Sequence, residues 1–227
     1  MERRELLTGL AAAGLAAGCA SQAPAWVRRA KARYTRQITL PPPSMSGSIA
    51  LEHAIEQRRS RRTFRPDPLP LATIGQLLWA GQGITSIDGK RAAPSAGAKY
   101  PLELYVVTAS EVLHYLPQGH RAEIRAQPDL RPELKAAAFG QPHVGAAPVV
   151  IVVAAVPSRT TRKYGAPGEA FVQREAGHAT QNILLQATAR RLAAVPVGSL
   201  SPSAAAAALA LPPGETVLYF VPVGLAR

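Results

Sequence analysis

Nine consecutive residues, Pro148 to Val156, carry no charged or polar side chain. A strand with one face in water alternates apolar and polar positions, so an unbroken run of this kind reads as a buried strand. Helical periods surround it. Glu169 to Leu192 is the longest, with Ala176, Ala179, Ile183, Leu184 and Ala187 on one face. Leu71 to Trp79, entered through Pro68 and Pro70, repeats apolar residues at Leu71, Ile74, Leu77 and Leu78. A short helix is expected over Ile49 to Ile55, capped by Ser48, and another over Ala204 to Ala210, starting at Ser201-Pro202. Glu103 to Thr108 and Val112 to Leu116, joined by Ala109-Ser110-Glu111, read as a hairpin, and Glu215 to Val223 as a last strand. The hairpin breaks strict βαβ alternation and no G-x-G-x-x-G is present, so an α+β sheet is expected rather than a Rossmann sheet.

Several function classes fall away on composition. At 227 residues the chain is one domain with room for a tail. Its single cysteine, Cys19, rules out a disulfide framework, and its five histidines form neither HxxxH nor HExxH, so no metal site is expected. The net charge of +12 suggests nucleic acid until its distribution is read. Residues 20 to 65 hold ten Arg or Lys against two Glu; residues 66 to 227 hold fourteen against ten. The excess belongs to one flanking segment, and no nucleic-acid partner is expected.

The amino terminus, M-E-R-R-E-L-L-T-G-L-A-A-A-G-L-A-A-G-C, places a paired arginine before an apolar stretch too short to span a membrane. Arg3-Arg4 followed by Leu6-Leu7 resembles a twin-arginine export signal, and Ala16-Ala17-Gly18-Cys19 a lipoprotein cleavage box. Residues 1–19 are therefore expected to be an export signal ending in a lipidated Cys19, and residues 20–48 a Pro/Ser-rich basic tether. On this reading the protein sits in the cell envelope, on a membrane surface, with residues 49–227 as its working domain.

Two segments of that domain carry chemistry. Arg58-Arg59-Ser60-Arg61-Arg62-Thr63-Phe64 gathers four guanidinium groups within seven residues, a density that a bound phosphate would relieve. Pro94-Ser95-Ala96-Gly97-Ala98-Lys99-Tyr100 is a loop of small residues that lets backbone approach a flat ligand, followed by a cation and a phenol that could handle a proton.

These segments occur in order with E-A-G-H-A-T-Q-N-I-L-L-Q-A, A-A-V-P-V-G-S and G-E-T-V-L-Y-F-V-P-V-G. Together they resemble the flavin-dependent nitroreductase superfamily, in particular its SagB/ThcOx-like dehydrogenase branch, over about residues 38 to 224. The resemblance implies a mostly antiparallel sheet wrapped by helices, a homodimer, and FMN bound at the dimer interface. It implies that Arg58, Arg59, Ser60 and Arg62 hold the FMN phosphate and ribityl chain, and that Pro94, Ser95, Ala96 and Gly97 pack against the ring. Gln181 and Asn182 match a polar step on the long helix, where contact with flavin and a hydrogen bond at the dimer seam both remain open. Val197, Gly198 and Ser199 match a loop that presents N–H groups to the flavin edge. Lys99 and Tyr100 match a pair credited with proton handling, whereas His178 reads as an interface histidine. The implied activity is hydride transfer between flavin N5 and a small-molecule or peptide substrate. The alternative is a flavin-binding envelope lipoprotein without turnover.

Overall fold

The computed structural model describes residues 34–227. The expected export signal, Cys19 and the first part of the expected tether lie outside them. Seven strands form one sheet in the order β1-β4-β3-β2-β5-β7-β6, every pairing antiparallel. They are β1 (Arg36–Thr39), β2 (Leu102–Val107), β3 (Glu111–Leu116), β4 (Arg121–Ala126), β5 (Val149–Ala155), β6 (Leu192–Ala194) and β7 (Thr216–Leu225). Seven α-helices accompany them: α1 (Leu51–Gln57), α2 (Leu71–Gln82), α3 (Arg131–Ala137), α4 (Pro142–Ala146), α5 (Ser158–Tyr164), α6 (Pro167–Ala189) and α7 (Pro202–Ala208). The fold is α+β.

The apolar run is β5, and all seven of its residues are buried. Their side chains divide by parity, as the two-residue repeat of a strand requires. Val149, Ile151, Val153 and Ala155 join a core with Ile74, Leu77 and Leu78 of α2 and Ala176, Ala179 and Ile183 of α6. Val150, Val152 and Ala154 join a second core with Leu134 of α3, Val144 of α4 and Ala205 of α7. Helices therefore cover both faces of β5. The packing of α2 on α6 is close: a Cβ on Gly81 would lie 3.0 Å from Ile183 Cδ1 and 3.1 Å from Leu104 Cδ1.

Three expectations are revised. The tether reading ends before Arg36, because Arg36–Thr39 pairs with β4 through Ile124 to Arg121 and Leu40 is buried. Only Ile38 of that strand turns inward, so four residues give no period to detect. Helix α1 is entered at Ala50 with no side-chain cap, which leaves Ser48 outside it. Helix α6 stops at Ala189, since Leu192 opens β6 and pairs with Leu225. By contrast, Ser201 caps α7 as expected, its hydroxyl accepting from the Ala204 N–H at 3.3 Å.

Among the described residues Glu175, on α6, is the one buried acidic side chain, 3% exposed. Burial pushes its carboxyl from 4.5 up to about 7, against the opposing pull of Ser95 and Arg91. Between those two values the folded chain binds more protons at this site than the unfolded one, so stability falls as pH rises through the window. At about 1.4 kcal/mol per pH unit, the site is expected to remove about 3 kcal/mol between pH 4.5 and pH 7. Urea unfolding at pH 5 and pH 8 checks this: Glu175→Gln is expected to abolish most of the site's share of the fall, and an equal fall in the variant would refute it.

Candidate functional site

Past α1 the chain runs extended along the end of the sheet. The Arg61 N–H donates to the Ala194 carbonyl at 3.0 Å, Phe64 bridges Ala226, and the Arg65 N–H donates to the Leu225 carbonyl at 2.9 Å. Extension sends successive side chains to opposite sides. Arg59 and Arg61 line a cavity of about 770 Å³ with His53, Gln57, Thr188 and Arg191, and no carboxylate is among its lining. Arg59 is also engaged locally: its Nη1 donates to the Glu56 and Arg58 carbonyls at 2.8 Å each, closing the carboxyl end of α1. Arg62 falls beside His143 of α4. Burial first and the Arg62 charge second hold the His143 imidazole below its usual pKa, and its buried Nε2 has no hydrogen-bond partner among the described residues. Arg58 is half-buried, and Ser60 is exposed.

The segment Val197 to Ser199 reaches the same region. Val197 is buried and pairs with Phe220 through N–H to carbonyl bonds of 2.8 and 3.0 Å. Gly198 and Ser199 are exposed, and the Ser199 carbonyl accepts from Gln141 Nε2 at 3.0 Å, just before α4. A Cβ on Gly198 would lie 3.1 Å from the Tyr219 ring, so the segment lies flat on β7.

The Pro94 to Tyr100 loop is built with care of a different kind. Gly97, Ala98 and Tyr100 all hold positive φ, at 58°, 51° and 46°. A Cβ on Gly97 would stand 2.6 Å from Tyr164 Oη and 2.9 Å from Lys163 Nζ, the ends of two side chains that can shift, so it is the positive φ that favours glycine there. Tyr100 is fixed from several directions. Its N–H donates to Ser95 Oγ at 2.8 Å, its Oη accepts from the Arg91 N–H at 3.2 Å, and its carbonyl accepts from Arg159 Nη1 at 3.2 Å. The Arg91 guanidinium lies 4.6 Å from the ring centroid. Arg159 is itself paired with Glu103 at 2.5 Å, and Glu103 with His114 at 2.7 Å. Burial raises the Glu103 carboxyl, but His114 and Arg159 outweigh it and leave the group below its usual range. Lys99, next to this framework, is exposed. A non-glycine residue at φ 46° with so many contacts is a held residue.

On α6, Gln181 is exposed, while Asn182 Nδ2 donates to the Ala92 carbonyl at 3.3 Å and ties the helix to the start of the loop. Asn182 also lines a cavity of about 360 Å³ with Trp79, Ala92 and Leu185. His178 is exposed. Glu175 is the residue sequence reasoning passed over: it stands in the E-A-G-H run, and its carboxyl meets the Ser95 hydroxyl. Only its place on the helical face of Ala176 and Ala179 hints at burial.

The candidate residues thus form two groups rather than one. Arg62 and the Val197 to Ser199 segment both border α4, with Arg58, Arg59 and Ser60 on the same stretch as Arg62; Pro94 to Gly97 lies with Lys99, Tyr100 and Glu175 beside the middle of α6. From Glu175 to Thr188, which lines the arginine cavity, α6 climbs thirteen residues, or about 20 Å.

The nitroreductase family model matches residues 55–225. A protein named as a nitroreductase in Methanocaldococcus jannaschii is 40% identical over 157 residues, 66% of this chain and 79% of that protein. Among solved structures, one described as a nitroreductase from Ralstonia eutropha superposes with a TM-score of 0.77 at 31% identity, covering 86% of this chain and 92% of that one. The NADPH:FMN oxidoreductase of Vibrio harveyi, solved with NAD+, shares the fold at a TM-score of 0.59 and 22% identity, over 78% and 69% of the two chains. This chain belongs to the nitroreductase family, and it is a flavin-dependent oxidoreductase.

Proposed function

We propose that the cofactor is FMN and that the working unit is a homodimer, each flavin lying between the arginine end of one copy and the Pro94 to Gly97 loop of the other. The observation that carries this reading is the split site: Glu175, behind the loop, and Thr188, on the arginine cavity, lie about 20 Å apart along α6. A two-fold pairing of α6 with its copy would set unlike halves face to face. The residues present suit an anionic, flat group. A buried His143 nitrogen beside Arg62 lacks a hydrogen-bond partner among the described residues, Arg59 and Arg61 on the other side of the segment line a cavity with no carboxylate, and Gly97 leaves the loop without a Cβ.

On this reading Arg58, Ser60 and Arg62 hold the phosphate, and Gly198 and Ser199 lie along the ring edge, where N–H donors favour negative charge. Bound FMN would supply a two-electron centre whose N5 exchanges hydride with substrate. Tyr100, fixed by Ser95, Arg91 and Arg159, and the exposed Lys99 beside it are the proton-handling pair. The substrate is a small molecule or a peptide, consistent with the resemblance to the SagB/ThcOx-like branch. Because the amino terminus reads as a twin-arginine and lipoprotein signal, the domain is proposed to act at the outer side of a membrane, anchored by Cys19. Nicotinamide pools are absent there, so a quinol, a membrane redox partner or the substrate itself is the proposed donor. No helix of the described residues is long and apolar enough to cross a membrane.

The purified protein is expected to be yellow and dimeric in gel filtration; a flavin-bearing monomer would overturn the split-site reading. Arg62→Ala is expected to weaken FMN binding roughly 10- to 100-fold, the worth of one charge-assisted bond. Arg59→Ala is expected to weaken it less, because that guanidinium already serves α1; equal losses in both variants by equilibrium dialysis would count against the assignment. Fractionation of tagged full-length protein beside an Arg3→Lys, Arg4→Lys variant tests the address. Wild type is expected with the envelope and the variant in the cytoplasm, whereas both in the cytoplasm would make a nicotinamide donor the default.

A further inference from the structure

We propose that Glu175 is the proton store of the site: its carboxyl, buried against the Ser95 hydroxyl, takes up one proton when the flavin packed on that loop gains two electrons. The inference rests on the proposed placement of the flavin against Pro94 to Gly97.

Three observations converge on the residue. Glu175 is 3% exposed, and its Oε1 has no hydrogen-bond partner among the described residues. An ionised carboxylate with an oxygen left unsatisfied in a core is costly, so this group is poised to be protonated. The Ser95 hydroxyl favours its ionised form, and the Ser95 oxygen accepts the Tyr100 N–H at 2.8 Å, so the carboxyl is coupled through one side chain to the residue held at the loop's turn. The balancing charge is Arg91, itself fixed to Gln82 at 2.8 Å and lying over the Tyr100 ring. Carboxyl, hydroxyl, guanidinium and phenol form one cluster behind the loop.

The titration of the carboxyl near pH 7 fits that role, because both protonation states are then accessible at neutral pH. Other charged groups stand further off. Arg159 of α5 and Glu103 of β2 act on Arg91, Lys163 and Tyr164 of α5 border Gly97, and Arg174 and His178 on α6 are exposed. Negative charge arriving on the outer side of the loop raises the carboxyl's affinity for a proton. The two electrons come from a hydride donor, or from dithionite in a cuvette. The proton comes from water and forms an O–H bond on Glu175, and no covalent bond of the protein breaks. With the carboxylate neutralised, the Ser95 hydrogen no longer has an anion to serve and is free to turn to an acceptor outside the loop.

The test uses the full-length protein loaded with FMN and poised with dithionite and indicator dyes from pH 6 to pH 9. Between pH 7 and pH 9 the midpoint potential of wild type is expected to fall more steeply than that of Glu175→Gln. The excess should approach about 30 mV per pH unit, one proton per two electrons. A second variant guards against a folding defect: Ser95→Ala removes the bond that favours the carboxylate and is expected to move the inflection to higher pH. Reduced-minus-oxidised infrared spectra should show a protonated carboxyl band in wild type that Glu175→Gln lacks. Equal slopes in wild type and Glu175→Gln, or an unshifted inflection in Ser95→Ala, would overturn the proposal while leaving the flavin in place. A wild-type protein that binds no FMN would overturn the cofactor reading, and this inference with it.

Discussion

Everything in this chain hangs on covering β5 from both sides. A strand whose seven side chains are all apolar exposes no face to water, and two separate cores are the consequence. One core places α2 and α6 on the first face, and the other places α3, α4 and α7 on the second. The site follows from that division. Helix α6 packs its inner stripe into the first core, and it carries the loop beside its middle and the arginine cavity near its carboxyl end. Helix α4, on the opposite face, and Gln141 just before it bring His143 to Arg62 and an amide to Ser199.

The parts legible in sequence were those whose signal is local. An unbroken apolar run, a long helical period and a Ser-Pro start are read within a window of a few residues, and β5, α6 and α7 stand close to where those signals put them. Strands β1 and β4 gave no comparable signal. In R-Q-I-T one side chain is half-buried, and R-A-E-I-R-A carries two arginines and a glutamate, one arginine of which, Arg125, is buried and donates to the Leu209 carbonyl at 2.6 Å. Such strands are made by their neighbours in the sheet rather than by their own composition.

For the site, the motifs identified which residues to watch but not how they are distributed. That Arg59 faces away from Arg62 depends on the chain being extended there. That the loop and the arginine cavity meet α6 about 20 Å apart depends on where along the helix each one packs. Glu175 and Ser95 are eighty positions apart in sequence, and nothing short of the packed fold tells that one buried carboxyl lies behind the loop. The contacts that hold Tyr100 are of the same kind, drawn from Arg91, Ser95 and Arg159 on three different segments.

The sheet's two margins bear on how copies of this chain can meet. An uncovered strand margin invites another strand to add to it. At one side, β1 is four residues long and presents Arg36, Gln37 and Thr39 to solvent, a short and polar border that offers little to pair with. At the other, the outer side of β6 is met by the arginine segment itself, whose Arg61 N–H takes the Ala194 carbonyl. The stretch that gathers positive charge thus also seals the sheet against growth. Among the described residues, strand addition is disfavoured at the β6 border by that covering segment and at the β1 border by its short, polar strand.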